Sequence, residues 1–160
     1  MFLEVLAQST RRRVESAKKE VSLDDLKSQV FYDGNVKRFH RREDFAFEKS
    51  LKSDGISFIC EVKKASPSKG IIAPFFPYLE IAKDYENAGA DAISVLTEPE
   101  YFKGNDLFLE EISEIVGIPV LRKDFIIDEY QIYEAKLIGA DAVLLICALH
   151  DTGTIKKYIE

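Results

Sequence analysis

Ala88-Gly-Ala-Asp-Ala-Ile-Ser-Val95 returns 50 residues later as Ile138-Gly-Ala-Asp-Ala-Val-Leu-Leu145. In both copies the glycine follows the apolar positions of a helix, and a short apolar run follows the aspartate. Glycine just past a helix end adopts the left-handed conformation that closes the helix. Aspartate suits the turn that leads into the next element. The motif therefore reads as a helix stop and a strand start, a structural device and not a site. A weaker echo pairs Gly55-Ile-Ser-Phe58 with Gly117-Ile-Pro-Val120. Strands opened by Gly-Ile thus alternate with strands opened by Gly-Ala-Asp, which is the trace a doubled βαβα unit leaves.

Working outward from these anchors, strands are expected at residues 57–63, 92–96, 118–122 and 142–146. Helices are expected at 76–88, 106–116 and 128–137, each stopped by a glycine, with a last helix capped by Asp151 and still running at Glu160. Apolar strands alternating with helices predict an α/β protein with a parallel sheet and helices outside it. The stretch before residue 55 reads as helical. Phe2, Leu3, Leu6 and Ala7 have helical spacing, and the helix extends to about Glu20. A second helix starts at Ser22, a capping residue followed by two acids. Tyr32-Asp33-Gly34-Asn35 reads as a turn, and residues 42–51 as a third helix.

Length and composition bound the rest. The chain has 160 residues, 46% hydrophobic and 31% charged, which suits one soluble domain with a core. The longest apolar run, 142–149, is too short for a membrane span. Arg11, Arg12 and Arg13 come too soon after the start for a secretory signal. Cys60 and Cys147 both sit in strand-like runs, which argues against a disulfide framework and for a cytoplasmic protein. The net charge of −6 disfavours a nucleic-acid partner. Residues 1–50 carry 11 Lys and Arg against 9 acids, whereas residues 51–160 carry 11 against 19. The basic stretch 37–42 fits a solvated approach to a helix better than a phosphate site.

In parallel α/β folds, chemistry collects at the carboxyl ends of the strands. Strand alternation puts Ile59, Glu61 and Lys63 on one face and Phe58, Cys60 and Val62 on the other. The apolar set belongs under the helices, so Glu61 and Lys63 face the opposite side, where ionisable groups must be paired or used. The Ser-, Lys- and Gly-rich loop that follows suits an anionic ligand. The second strand ends in a loop with Tyr101 and Phe102. The third ends in Lys123-Asp124-Phe125, with Leu121 and Lys123 on the same face as Glu61. A lysine there can protonate a developing oxyanion. The fourth offers Leu144 and Ile146, both apolar. His40 and His150 lack metal-ligand spacing, Cys60 faces the helices and neither cysteine reads as a nucleophile, and no nucleotide-binding glycine loop is present.

Three blocks carry a family resemblance. Ile59-Cys-Glu61-Val-Lys63-Lys-Ala-Ser66-Pro67-Ser-Lys-Gly70, Leu96-Thr-Glu-Pro-Glu-Tyr-Phe102 with Gly104, and Val120-Leu-Arg-Lys123-Asp-Phe125-Ile-Ile-Asp-Glu-Tyr-Gln131 resemble, in order, the signature of the indole-3-glycerol phosphate synthases. The resemblance implies a TIM (β/α)8 barrel with extra N-terminal helices and a role in tryptophan biosynthesis. It implies conversion of 1-(2-carboxyphenylamino)-1-deoxyribulose 5-phosphate to indole-3-glycerol phosphate by ring closure, decarboxylation and dehydration, without cofactor or metal. On that resemblance Lys123 is the general acid, and Glu61 and Lys63 share substrate anchoring and dehydration. Ser66 and Pro67 line the pocket, and Phe102, Phe125 and Leu144 hold the aromatic ring.

A TIM barrel needs eight strands and about 250 residues. The expectation is therefore a helical extension over 1–54 and the first four βα units over 55–160, inactive alone. Open edges and an exposed lumen face would favour self-association or a complementary half. A non-catalytic half-barrel that needs its complement, and another phosphate-binding barrel such as phosphoribosylanthranilate isomerase, remain alternatives.

Overall fold

The computed structural model describes residues 2–31, 42–52 and 54–160. Among the described residues, three helices precede the sheet: α1 (Phe2–Glu20), α2 (Leu23–Phe31) and α3 (Ala46–Ser50). There follow β1 (Ile59–Val62), β2 (Ala65–Ser66), β3 (Gly70–Ile71), α4 (Tyr78–Asn87), β4 (Ala92–Leu96), α5 (Asp106–Ile115), β5 (Val120–Lys123), α6 (Glu129–Leu137) and β6 (Ala142–Val143). A 3₁₀ turn at Cys147–Leu149 leads into α7 (Thr152–Ile159). β1, β4, β5 and β6 form a parallel sheet in that order, so each helical crossover sets the next strand beside the last. β2 and β3 form a small antiparallel hairpin in the loop after β1, an element the sequence pattern did not announce. No helix among the described residues is long and apolar enough to cross a membrane.

The two Gly-Ala-Asp segments play matching parts. Gly89 and Gly139 both have φ of 89°, in the left-handed region open to glycine. The Asp91 carboxylate accepts the Phe58 N–H at 2.7 Å, and the Asp91 N–H donates to the Phe58 carbonyl at 2.9 Å. Asp141 repeats both bonds with Val120, at 2.7 and 2.8 Å. Each aspartate thus ties the start of its strand to the start of the preceding one. Gly117, expected to stop α5 the same way, stays out of the left-handed region, and the helix ends on an extended Val116.

Several boundaries differ from expectation. β5 begins at Val120, not at residue 118, because Pro119 has no N–H to give the ladder. β6 has two residues instead of five; among the described residues it pairs only with β5, through Ala142 and Val143. Cys147 therefore lies exposed in the 3₁₀ turn and not in a strand. The third helix is Ala46–Ser50 and excludes Arg42. The Arg42 side chain is buried, not solvated: it pairs with Asp141 at 2.7 Å and donates to the carbonyls of Ser113, Val116 and Gly139. It thereby caps the ends of α5 and α6, where unpaired carbonyls favour a cation. The turn at 32–35 and His40 lie outside the described residues.

The main core, including Val62, Ile93, Val95, Leu109, Ile112 and Val120, lies between the sheet and its helices. A smaller cluster joins Val14 of α1 and Leu26 of α2 to Tyr130 of α6. The N-terminal helices are thereby anchored beside the carboxyl end of β5.

Candidate active site

Register fixes which side chains share a face. Glu61 pairs with Ser94, Ser94 with Leu121, and Leu121 with Ala142, so these four form one row. One step up the strands, Leu96 pairs with Lys123. Alternation adds Lys63, next after β1, to the face of Glu61. Three ionisable side chains from two strands therefore converge on the surface away from the helices.

They meet on one carboxylate. The Lys123 ammonium donates to Glu61 Oε2 at 2.7 Å, and the Lys63 ammonium donates to Glu61 Oε1. Burial works to raise the Glu61 pKa, but the hydrogen bonds and charges of Lys123 and Lys63 outweigh it and hold the carboxyl below its ordinary range. One anion between two cations leaves a net positive, half-buried cluster. Ser94 Oγ, in the same row as Glu61, is a buried side-chain oxygen with no hydrogen-bond partner among the described residues.

A cleft of about 120 Å³ opens over the cluster, lined by Glu61, Lys63, Lys123, Phe102, Phe125 and Leu144, with Leu96, Asp124 and Ile146 completing it. Pockets that bury a drug-sized ligand occupy about 300–1,000 Å³, so these residues make a wall and floor and not a whole enclosure. The Phe102 and Phe125 rings stand 6.2 Å apart, centroid to centroid, on two different loops. Six of the eight residues singled out from the sequence are thus brought together. Ser66 and Pro67 are not. They belong to the β2–β3 hairpin, where Ser66 Oγ accepts the Lys69 N–H at 3.3 Å and Pro67 is exposed.

Behind the cluster lies an ion network that strand alternation alone leaves out. Arg122, between Leu121 and Lys123, points to the helix side and is fully buried. It donates to Glu134, Asp106, the Gln131 carbonyl and Thr97 at 2.8–3.3 Å, with Asp124 at 3.5 Å. Asp124 also takes two bonds from Arg13 of α1, at 2.8 and 2.9 Å. Burial raises the Asp124 pKa, but the two guanidiniums more than reverse this and hold it below the usual carboxylate range. Lys123 is therefore flanked on both sides by side chains fixed in charge-assisted bonds. A charged residue on an otherwise apolar strand face was the available signal for Arg122. Arg13 gave none, being one of three consecutive arginines. His150 is a satisfied structural histidine, with Nε2 2.7 Å from the Ile126 carbonyl.

Parallel strands in chain order, helices on one face, and an ionisable cluster at the strand ends define an α/β protein of the (β/α)-barrel class, with four strands of the wall among the described residues. Within that class the cluster's sequence blocks narrow the choice. The chain belongs to the indole-3-glycerol phosphate synthase family, whose model matches residues 3–160. An indole-3-glycerol phosphate synthase of Ruminiclostridium cellulolyticum is 59% identical over 160 residues, covering all of this chain and 59% of the relative. One of Endomicrobium trichonymphae is 52% identical over 161 residues, covering all of this chain and 60% of the relative. One of Lachnoclostridium phytofermentans is 46% identical over 154 residues, 93% of this chain and 57% of the relative. The chain thus spans about three fifths of the length of these relatives.

Proposed function

We propose that this chain carries the proton-donating part of an indole-3-glycerol phosphate synthase site and acts in the cytoplasm on 1-(2-carboxyphenylamino)-1-deoxyribulose 5-phosphate. The observation that carries the reading is the bridge of Lys123 and Lys63 across Glu61 beneath Phe102 and Phe125. In the first step the ring carbon bearing the carboxylate bonds to the ketone carbon, and the ketone oxygen takes a proton from the Lys123 ammonium. That oxygen carries the developing negative charge, so a positioned ammonium lowers the barrier most there. Carbon dioxide then leaves, and its bonding electrons return to the ring. The new hydroxyl departs as water after gaining a proton, and the adjacent carbon gives one up; Lys63 and Glu61 serve this step and the anchoring of the anionic substrate. Phe102, Phe125 and Leu144 hold the aromatic ring against the sugar, a matter of orientation worth much in a reaction that disrupts aromaticity.

The outer edges of β1 and β6 are unpaired among the described residues. We take the remaining strands of a barrel as their partners, with a second copy of the chain as the substitute when those strands are absent. The test is turnover followed by indole fluorescence, for the chain alone and for the chain continued by the remainder of the Ruminiclostridium cellulolyticum relative. Turnover in the completed barrel and none in the chain alone is the expected result. Equal turnover by the chain alone would refute the claim that the site is shared with further strands. A folded completed barrel without turnover would refute the function.

A further inference from the structure

Glu98 is 2% exposed, although it sits in the loop between β4 and α5. Its carboxylate is turned back onto its own loop. Oε1 accepts the N–H of Glu100 at 3.0 Å, and Oε2 accepts the N–H groups of Tyr101 and Phe102 at 2.7 and 3.0 Å. The Glu98 carbonyl accepts the Gly104 N–H at 2.8 Å and closes the loop behind them. Between these anchors Lys103 takes a φ of 55°, a conformation a lysine adopts only when its surroundings impose it. A Cβ on Gly104 would collide with the Leu96 carbonyl group, so the loop returns hard against the strand it left. Phe102 is the last amide the carboxylate holds, and its ring is the part of this loop that lines the cleft, opposite Phe125.

We propose that Glu98 is a positioning residue that sets the aromatic wall of the site through Phe102, a role that rests on the function proposed above. Three consecutive amides converge on two oxygens, so the backbone direction at 100–102 is fixed by one side chain. A rigid loop delivers a ring to one place, whereas a loose loop must be ordered by the substrate at a cost in affinity. The consequence belongs to substrate binding and not to proton transfer, because the Glu98 carboxylate bonds its own loop amides and makes no hydrogen bond or ion pair with Lys123, Lys63 or Glu61.

The conservative variants separate this role from a merely structural one. Glu98→Gln keeps the length but replaces one acceptor oxygen with an NH₂ that faces backbone donors. Glu98→Asp keeps both oxygens, and a short carboxylate bonding amides two or more residues ahead is a favoured turn arrangement. In the completed barrel, Glu98→Gln should raise KM about tenfold and leave kcat within about twofold, the pattern of lost binding common to ground and transition states. Glu98→Asp should restore KM to within about twofold of the parent. Phe102→Leu should raise KM similarly, and the double variant should be no worse than Phe102→Leu alone, since the two act as one unit. In the chain itself, Glu98→Gln should speed amide exchange at residues 100–102 about tenfold, leave Ile93 and Val95 unchanged, and abolish the ring-to-ring NOE between Phe102 and Phe125. Multiplying KM effects in the double variant, a fall in kcat with KM unmoved, or an undisturbed NOE in Glu98→Gln would each overturn the proposal. Absence of turnover with Glu98 intact would instead overturn the functional reading, and the exchange and NOE results would still decide whether Glu98 governs Phe102.

Discussion

Glu61 is the residue on which the site turns, because it receives both ammoniums that the proposed chemistry uses. Its placement was legible in the sequence: alternation along a strand puts residues 59, 61 and 63 on one face, and two charges there demand a partner or a purpose. What alternation could not supply was the partner across the sheet, since Lys123 lies 62 residues away and only the register of β1, β4 and β5 brings it within reach. The pairing has a pH consequence. The folded Glu61 pKa is depressed below the ordinary glutamate value of 4.5. Below that value the unfolded chain binds the proton first, so the stability contributed by the pair is present above pH 4.5 and lost as pH falls through the folded value. Asp124, also depressed, adds to the same acid-side loss. Denaturant midpoints measured on acidification should therefore fall more steeply in the parent than in Glu61→Gln. Parallel curves would show that the bridge contributes nothing to stability.

At the scale of elements, the order of strands and helices followed from periodicity and glycine stops, and the Gly-Ala-Asp segments bound as their residue types required. The misses have local causes. Pro119 delays β5, and β6 is short where pairing is one-sided. The β2–β3 hairpin lies in a polar loop without an alternating pattern. Glu98 was passed over because an acid in a Pro-containing loop looks solvated, and nothing in the spacing reveals a carboxylate folded back on its own amides. Arg42 was misread for a similar reason, since a basic run gives no hint that one member is buried. Arg42 and Asp141 side chains are only 5% and 4% exposed. Arg42→Ala would strand a buried carboxylate and three carbonyls, at a cost of about 3–5 kcal/mol. A shift in the urea midpoint corresponding to less than about 1 kcal/mol would show that water replaces the guanidinium at the ends of α5 and α6.

For the whole molecule, the described strands supply one continuous wall with its chemistry at one end and its core behind. α1 is joined to that end through Arg13 and Asp124, so the N-terminal helices support the strand end that bears Lys123. The central claim is that Lys123 delivers the proton that makes ring closure possible, and it is tested most directly by kcat in the completed barrel with Lys123→Ala. A loss of about 10²–10⁴-fold is expected, the usual worth of a positioned general acid, in a protein that still unfolds cooperatively. A folded Lys123→Ala protein that retains kcat within about threefold, well short of that range, would contradict it.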